Sequence, residues 1–594
     1  MLILGISAYY HDAAATIIKD VKIIAAAQEE RFTRIKGDKS FPINAIDYCL
    51  KEANTEIEKL DHIVFYENSL SKFQRIIVSA YKNAPYSIKT FVLSVSKWLS
   101  KDLWIDKEMK KKLMTKKNVI MYDHHMSHAA SAFYPSPFKK AAILTIDGVG
   151  EWATTTYGIG EDNKINITKA INFPDSIGLL YSAFTSYLGF KINFDEYKIM
   201  GLAPYGKPIY ADLIKKELIK IYEDGSIKLN MKYFNYTKGI TMTNKKFEKL
   251  FDHKSRIPES KITQKDMDIA SSLQFVLNEI LLKMTNYIYN ETKCDNLVMA
   301  GGVALNVAAI GYLKRKSKFK KIWIQPASGD SGGSLGCALS YYYDVLNQKR
   351  KIQRNDSMQG ALLGPKIEIK NKEFDNYLNK IGVKFETLDE DEFIKKIIEN
   401  LSKGKVIGIA RGKMEFGPRA LGNRSIIADP RRDDMQKNIN QKIKFREGFR
   451  PFAPIVLNED KNDYFEIKDE SPYMLSTYYV NKNLRFPISE KVSGFNLLNE
   501  KKSTIPAVTH VDYSARVQTV DNKRNHFLYN LLKEFKKSAN CSCLVNTSFN
   551  VRGEPIVCNE TDAYNCFIKT NMDCVVIGNR FLTKEDQEGE FNDK

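Results

Sequence analysis

Apolar residues run almost unbroken through MLILGISAYY (1–10), yield to a short polar turn, and resume in AAATIIKD (13–20) and VKIIAAAQEE (21–30). Short runs of this kind, bounded by turn residues, predict three strands in succession. Residues 141–171 repeat the rhythm as AAILTIDGVG, EWATTTYGIG and EDNKINITKAI. An apolar strand again runs into small and polar residues, then a β-branched strand, a charged turn and a third strand. The same unit at the head of two successive segments predicts an internal duplication.

Between the two units, residues 45–117 read mainly as helices carrying insertions. After the second unit, a polar stretch (207–265) leads to a strong helix at 265–292. Next come strand NLVMAGGVAL, helix ALNVAAIGYLKRK, strand KIWIQP, loop ASGDSGGSLG and a helix, CALSYYYDVLNQKRK, ending near 351. Residues 351–364 read as a linker. A second α/β domain then occupies 365–594, with strands at VIGIARG, RSIIAD, PAVTHV and CSCLVNTSFN. Duplicated three-strand units followed by helices are the pattern of the actin, Hsp70 and sugar-kinase folds, whose paired hairpin turns clasp phosphate. The predicted fold class is therefore α/β, with a duplicated actin-like domain over 1–350 ahead of the second α/β domain.

Length supports this division, because 594 residues exceed what one core organises. No apolar run approaches the roughly 20 residues of a membrane-spanning helix. The start reaches His11 and Asp12 too soon for a signal peptide. The eight cysteines show no CxxC spacing, which fits reduced thiols and a cytoplasmic setting. A net charge of +19 raises nucleic acid as a partner. Runs such as KEMKKKLMTKK read instead as solvated helix faces, and no RNA-binding signature accompanies them. No membrane partner is expected, and nucleic acid is secondary.

Three constellations carry chemistry. In DHHMSHAASAF, Asp123 can cap a helix on which His124 and His128 face one side, while His125 points about 100° away. By itself that spacing serves a metal pair or a structural pair equally. Asp147 and Asp330, each at a strand end, shift it toward a site for a borderline divalent cation such as Fe or Zn. The glycine-rich stretches DGVGE, AGGVALN and SGDSGGSLG lie where strands meet helices and can hold phosphate or sugar hydroxyls. Third, residues 411–454 place Glu415, Arg419, Arg424, Lys444, Arg446 and Arg450 among glycines and prolines. Arg516, Asn546, Ser548 and Arg552 follow downstream. Guanidiniums on loops at strand ends suit a small oxyanion or a triphosphate.

Taken with YYHDAAA, ERFTRIKGD, EYKIMGLAPYG, MEFGPRALGNRSIIADPR, FRPFAP, ARVQTV and NTSFNVRGEPIV, these stretches give the chain a clear likeness. It resembles the O-carbamoyltransferase family, whose members carbamoylate nodulation factors, cephalosporins, aminoglycosides and ansamycins. The likeness spans nearly the whole chain, with its motifs in the family's order. It implies an N-terminal domain similar to the tRNA threonylcarbamoyl transferase and a C-terminal YrdC-like domain that forms carbamoyl-adenylate from carbamoyl phosphate and ATP. The N-terminal domain would then carbamoylate an alcohol and release AMP.

By that resemblance, His124, His128, Asp147 and Asp330 are the metal ligands, with iron expected and zinc or manganese as alternatives. Arg419, Lys444, Arg450, Arg516, Asn546 and Ser548 take carbamoyl phosphate and ATP, the latter with magnesium. Arg419, Lys444 and Arg516 act in catalysis there, and His11 helps to activate the acceptor hydroxyl. Lys36 and Asn306 touch the adenylate. The expected partner is a hydroxylated small molecule, and a homodimer is the expected assembly. Gly37 and the segments 66–118 and 207–265 match no motif, which leaves the acceptor open. The rival readings are threonylcarbamoyl-adenosine-type RNA modification, which shares both folds, and a sugar-kinase-like phosphotransferase, which leaves the arginine-rich half unexplained.

Overall fold

The computed structural model describes residues 1–87, 91–92, 105–353 and 355–587. The chain forms two compact units. The first comprises Met1–Glu29 and Gly37–Ser357; the second comprises Met358–Lys594 together with Glu30–Lys36.

The first unit holds two five-stranded sheets of one topology. In the first, β1 (Leu2–Ser7), β2 (Ala14–Lys19) and β3 (Lys22–Gln28) form an antiparallel meander. Beyond β1 lie parallel β4 (His62–Phe65) and β5 (Val119–Met121), giving the order β3-β2-β1-β4-β5. The second sheet repeats it. There β6 (Lys140–Ile146), β7 (Ala153–Glu161) and β8 (Lys164–Asn172) form the meander, and parallel β9 (Asn296–Ala300) and β10 (Lys321–Ile324) extend it beyond β6. Equal order and equal strand sense establish the duplication, and the unit has the duplicated actin-like α/β fold. Helix α1 (His124–Phe133) packs against helix α3 (Ser331–Ser340), and the long α2 (Gln264–Thr292) is capped by Thr263 and Asp266 in a reciprocal box.

Several expectations need correction here. The described part of 45–117 is mainly helical, as expected, but buried β4 also lies inside it; HIVF is too short to stand out beside its helical neighbours. Part of this stretch, 88–90 and 93–104, lies outside the described residues. The glycines of SGGSLG are not in a loop but in α3. They are small because neighbours press on them: a Cβ at Gly336 would stand 1.7 Å from the Ser127 carbonyl oxygen of α1. The last helix ends in a turn at Tyr341–Val345 rather than near 351. Beyond it the Arg350 guanidinium donates to the carbonyls of Phe133, Tyr134, Ser136 and Phe138, which pins this segment to the end of α1 and the loop after it.

The second unit is built on an eight-stranded mixed sheet. Its strands are β11 (Glu386–Thr387), β12 (Ile407–Ala410), β13 (Arg424–Ala428), β14 (Ala453–Leu457), β15 (Gln518–Val520), β16 (Cys543–Ser548), β17 (Cys574–Ile577) and β18 (Arg580–Thr583). Their order is β11-β18-β17-β12-β13-β16-β14-β15. PAVTHV is not among them. Pro506–Val508 forms a tight turn, held by the Thr509 hydroxyl donating to the Ile505 carbonyl. No helix among the described residues is long and apolar enough to cross a membrane.

Candidate active site

The turn after β6 and the start of α1 build the first cluster. Asp123 caps α1 by accepting from the Met126 N–H at 2.7 Å. The Glu151 carboxylate adds a second anchor, accepting the N–H of His124 at 3.1 Å and of Asn68 at 2.7 Å. His124 and His128, one turn apart, bring their ring centres to 4.7 Å. Asp147 follows β6; one of its oxygens accepts the Gly302 N–H at 2.9 Å and the other lies 3.2 Å from His124 Nε2. Asp330 precedes α3, with an oxygen 3.5 Å from His128 Nε2. One ligand atom from each of the four residues lies within 4.8 Å of the others, and all four are buried.

Charge and burial conflict in this cluster. Burial pushes the His124 pKa down, but the bond to Asp147 and the charges of Asp330, Asp147 and Glu151 outweigh it and hold it at about 9. Burial would raise Asp147, yet His124 and His128 keep it well below the usual carboxylate range. Among the described residues, both ring nitrogens of His128, both oxygens of Asp330 and Nδ1 of His124 are buried without a hydrogen-bond partner. Such atoms are costly unless something satisfies them. Two imidazoles and two carboxylates left in that state fit a borderline divalent cation.

His125 is used differently. Its ring spans Thr145 Oγ1 at 2.6 Å and the Ala153 carbonyl at 2.9 Å, tying α1 to β6 and β7. Burial, with His124 and His128 nearby, depresses its pKa to about 3, so it is neutral. His11 sits in the β1–β2 turn, the counterpart of the turn that bears Asp147, and its Nε2 is 3.6 Å from Asp330. Burial lowers its pKa, but Asp330, Asp12 and Asp147 lift it to about 10. Asn306 caps the helix Val307–Lys316 through Ala309 N–H at 3.0 Å, and its amide pairs with Gln274. A Cβ at Gly148 or Gly329 would make only an ordinary contact, at 4.0 Å, with Leu179 or Leu305.

The second unit gathers the cations. Lys444 closes the helical turn Ile439–Ile443 and is 3% exposed. Its ammonium donates to the Ser548 carbonyl at 2.5 Å, Asn550 Oδ1 at 2.7 Å and the Asn550 carbonyl at 2.9 Å. Burial, then Arg446, Arg450 and Lys36, hold its pKa well below the normal lysine value. Burial likewise lowers Arg516, together with Arg419, Arg446 and Arg450. Lys36, Arg419, Lys444, Arg446, Arg450 and Arg516 therefore repel one another in one place. The loop 417–423 carrying Arg419 is held by side chains. Glu415 Oε1 accepts from Leu421 and Asn423 N–H at 2.6 and 2.9 Å, and Arg31 donates to the Gly417 carbonyl at 3.0 Å.

Two arginines that the sequence placed in this group do other work. Arg424 is fully buried and gives its donors to the carbonyls of Arg411, Gly412, Asn423, Cys558 and Pro365. Arg552 lies 3.7 Å from Glu447 at a site 40% exposed. Glu151, Gln518 and Asn550 were missed, although all three lie inside motifs already quoted; nothing in their spacing distinguishes them.

Residues 2–339 match the family described as carbamoyltransferase N-terminus, and residues 398–584 match carbamoyltransferase C-terminus. The chain belongs to the carbamoyltransferase family. It is therefore a transferase. Uncharacterized protein sll1178 of Synechocystis sp. is 50% identical, covering 98% of this chain and 97% of that one. Nodulation protein NolNO of Sinorhizobium fredii is 33% identical over 97% of this chain and 79% of its own length. Nodulation protein NolO of Bradyrhizobium diazoefficiens is 32% identical over 77% of this chain and 78% of its own.

Proposed function

We propose that this carbamoyltransferase makes carbamoyl-adenylate in its second, YrdC-like unit and passes the carbamoyl group to a hydroxyl of a small molecule in its first. The observation that supports the first half is the gathering of six cations in the second unit, where their repulsion adds to burial in lowering Lys444 and Arg516. A polyanion relieves that repulsion, and ATP with magnesium beside carbamoyl phosphate supplies one. Water releases phosphate from carbamoyl phosphate. The carbamate oxygen then attacks the α-phosphorus of ATP and pyrophosphate departs. Arg419, Lys444, Arg450 and Arg516 neutralise charge that builds on the phosphates in that step.

Transfer needs an alcohol to attack the carbamoyl carbon while AMP leaves. The hydroxyl proton goes to Nε2 of His11, at the edge of the histidine–aspartate cluster. His124, His128, Asp147 and Asp330 would hold iron, with zinc or manganese as alternatives, supplying Lewis acidity and offsetting the carboxylate charge that lifts His11. The resemblance to a family whose members carbamoylate nodulation factors and antibiotics supports a small-molecule acceptor. The test is to incubate the protein with carbamoyl phosphate, ATP, magnesium and a panel of hydroxylated metabolites. AMP, pyrophosphate and a carbamoylated product are expected; ADP as the nucleotide product would replace this reading with a phosphotransferase.

A further inference from the structure

In the second unit, one amide fixes the orientation of another. Gln518 lies two residues beyond Arg516, on β15; Asn546 lies two residues before Ser548, on β16. Both strands flank β14, where Ala453 is the register partner of Asn546 and Ile455 that of Gln518. All four side chains therefore share one face, and small Ala453 leaves room for the two amides to meet above it. Asn546 Nδ2 donates to Gln518 Oε1 at 2.8 Å and to the Ala420 carbonyl at 3.1 Å. Gln518 Nε2 in turn donates to the Leu421 carbonyl at 2.8 Å.

That chain of bonds excludes the flipped amide. With both Nδ2 hydrogens on oxygens, turning Asn546 over would set Oδ1 against Gln518 Oε1 and the Ala420 carbonyl. Oδ1 is thus fixed as an acceptor, and no donor reaches it among the described residues, although Asn546 has no solvent exposure. The cations gathered in this unit, Arg419, Arg516 and Lys444 among them, recognise oxyanions. None of them distinguishes a carbamoyl group from an acetyl group of the same shape. An oriented amide oxygen does, because the first carries N–H and the second carries methyl.

We infer that Gln518 is a positioning residue that aims Asn546 Oδ1 at the amino group of the carbamoyl substrate, making this pair the determinant of carbamoyl over acyl selection. The inference rests on the adenylate-forming role proposed for this unit. Sealed from water, such a bond discriminates strongly against an analogue that lacks the donor.

The experiment compares pyrophosphate release from ATP with carbamoyl phosphate and with acetyl phosphate, using the full-length protein. The wild type is expected to prefer carbamoyl phosphate by at least ~100-fold. Gln518→Met should cut that preference ~10-fold or more, through KM for carbamoyl phosphate, while KM for ATP stays within ~2-fold. Gln518→Glu keeps an oxygen for Asn546 Nδ2 but sets its second oxygen against the Leu421 carbonyl, so it should also weaken the preference. In an Asn546→Ala background, Gln518→Met should change the preference no further. An active wild type whose preference survives Gln518→Met overturns the inference alone. A wild type that releases no pyrophosphate with carbamoyl phosphate overturns the underlying reading, and the inference with it.

Discussion

His11 and Arg516 separate the two half-reactions at the level of single side chains. His11→Asn removes the proton acceptor beside Asp330 and alters no residue of the cation group. Pyrophosphate release should continue while acceptor carbamoylation falls by ~100-fold or more, the usual range for a general base. Loss of both activities together would exclude His11 from the transfer step. Arg516→Ala should do the reverse and reduce pyrophosphate release. Lys444 gives a pH signature. Its folded pKa lies below its unfolded value, so between the two the free protein is partly neutral there. A bound anion restores the charge. Phosphate or ATP binding should therefore take up a proton, and affinity should fall as pH rises through that window. Calorimetry in two buffers of different ionisation enthalpy measures the uptake directly, and a pH-independent affinity would contradict it.

Helix-to-helix contact controls the histidine–aspartate cluster at the next scale. Two of its residues ride on α1 and one stands at the head of α3, so its dimensions depend on how closely these helices approach. Gly336 sets that approach, and Gly336→Ala drives a methyl group into the Ser127 carbonyl. Overpacking of this kind costs about 1–3 kcal/mol and more where backbone must move. The expected result is a lower unfolding midpoint together with weaker metal retention on dialysis; unchanged metal content would place the controlling contact elsewhere. Sequence alone conveyed the i,i+4 histidine spacing, the strand-end aspartates and the repeated meander, because each follows from local periodicity. It misled where composition and packing disagree. Gly-rich SGGSLG reads as loop but is helix under contact pressure, and PAVTHV reads as strand but is turned by Pro506 and Thr509. Gln518 and Asn550 act through partners far along the chain, Asn546 28 and Lys444 106 positions away, which no local pattern reveals.

At the scale of the whole molecule, the segment Glu30–Lys36 belongs with residues hundreds of positions downstream. Arg34 donates to the carbonyls of Pro555 and Ile556 at 2.9 and 2.7 Å, and Phe32 packs with Met414, Ala420, Ile556 and Cys558. Arg34→Ala leaves both carbonyls without that donor and should cost about 1–3 kcal/mol, seen as an earlier denaturant transition of the second unit. An unaltered midpoint would show that water replaces the guanidinium at no loss.

The same segment sets a schedule for biosynthesis. Arg34 and Ile556 are separated by 522 positions. At a ribosomal rate of roughly 5–20 residues per second, Arg34 emerges about half a minute to nearly two minutes before its acceptors exist. Through that interval β1–β3 can form and keep the segment tethered close to a folded sheet rather than adrift. The arginine-rich half is then completed by a piece of chain made 521 and 522 positions ahead of its acceptors, so that closure waits until Pro555 and Ile556 have been made.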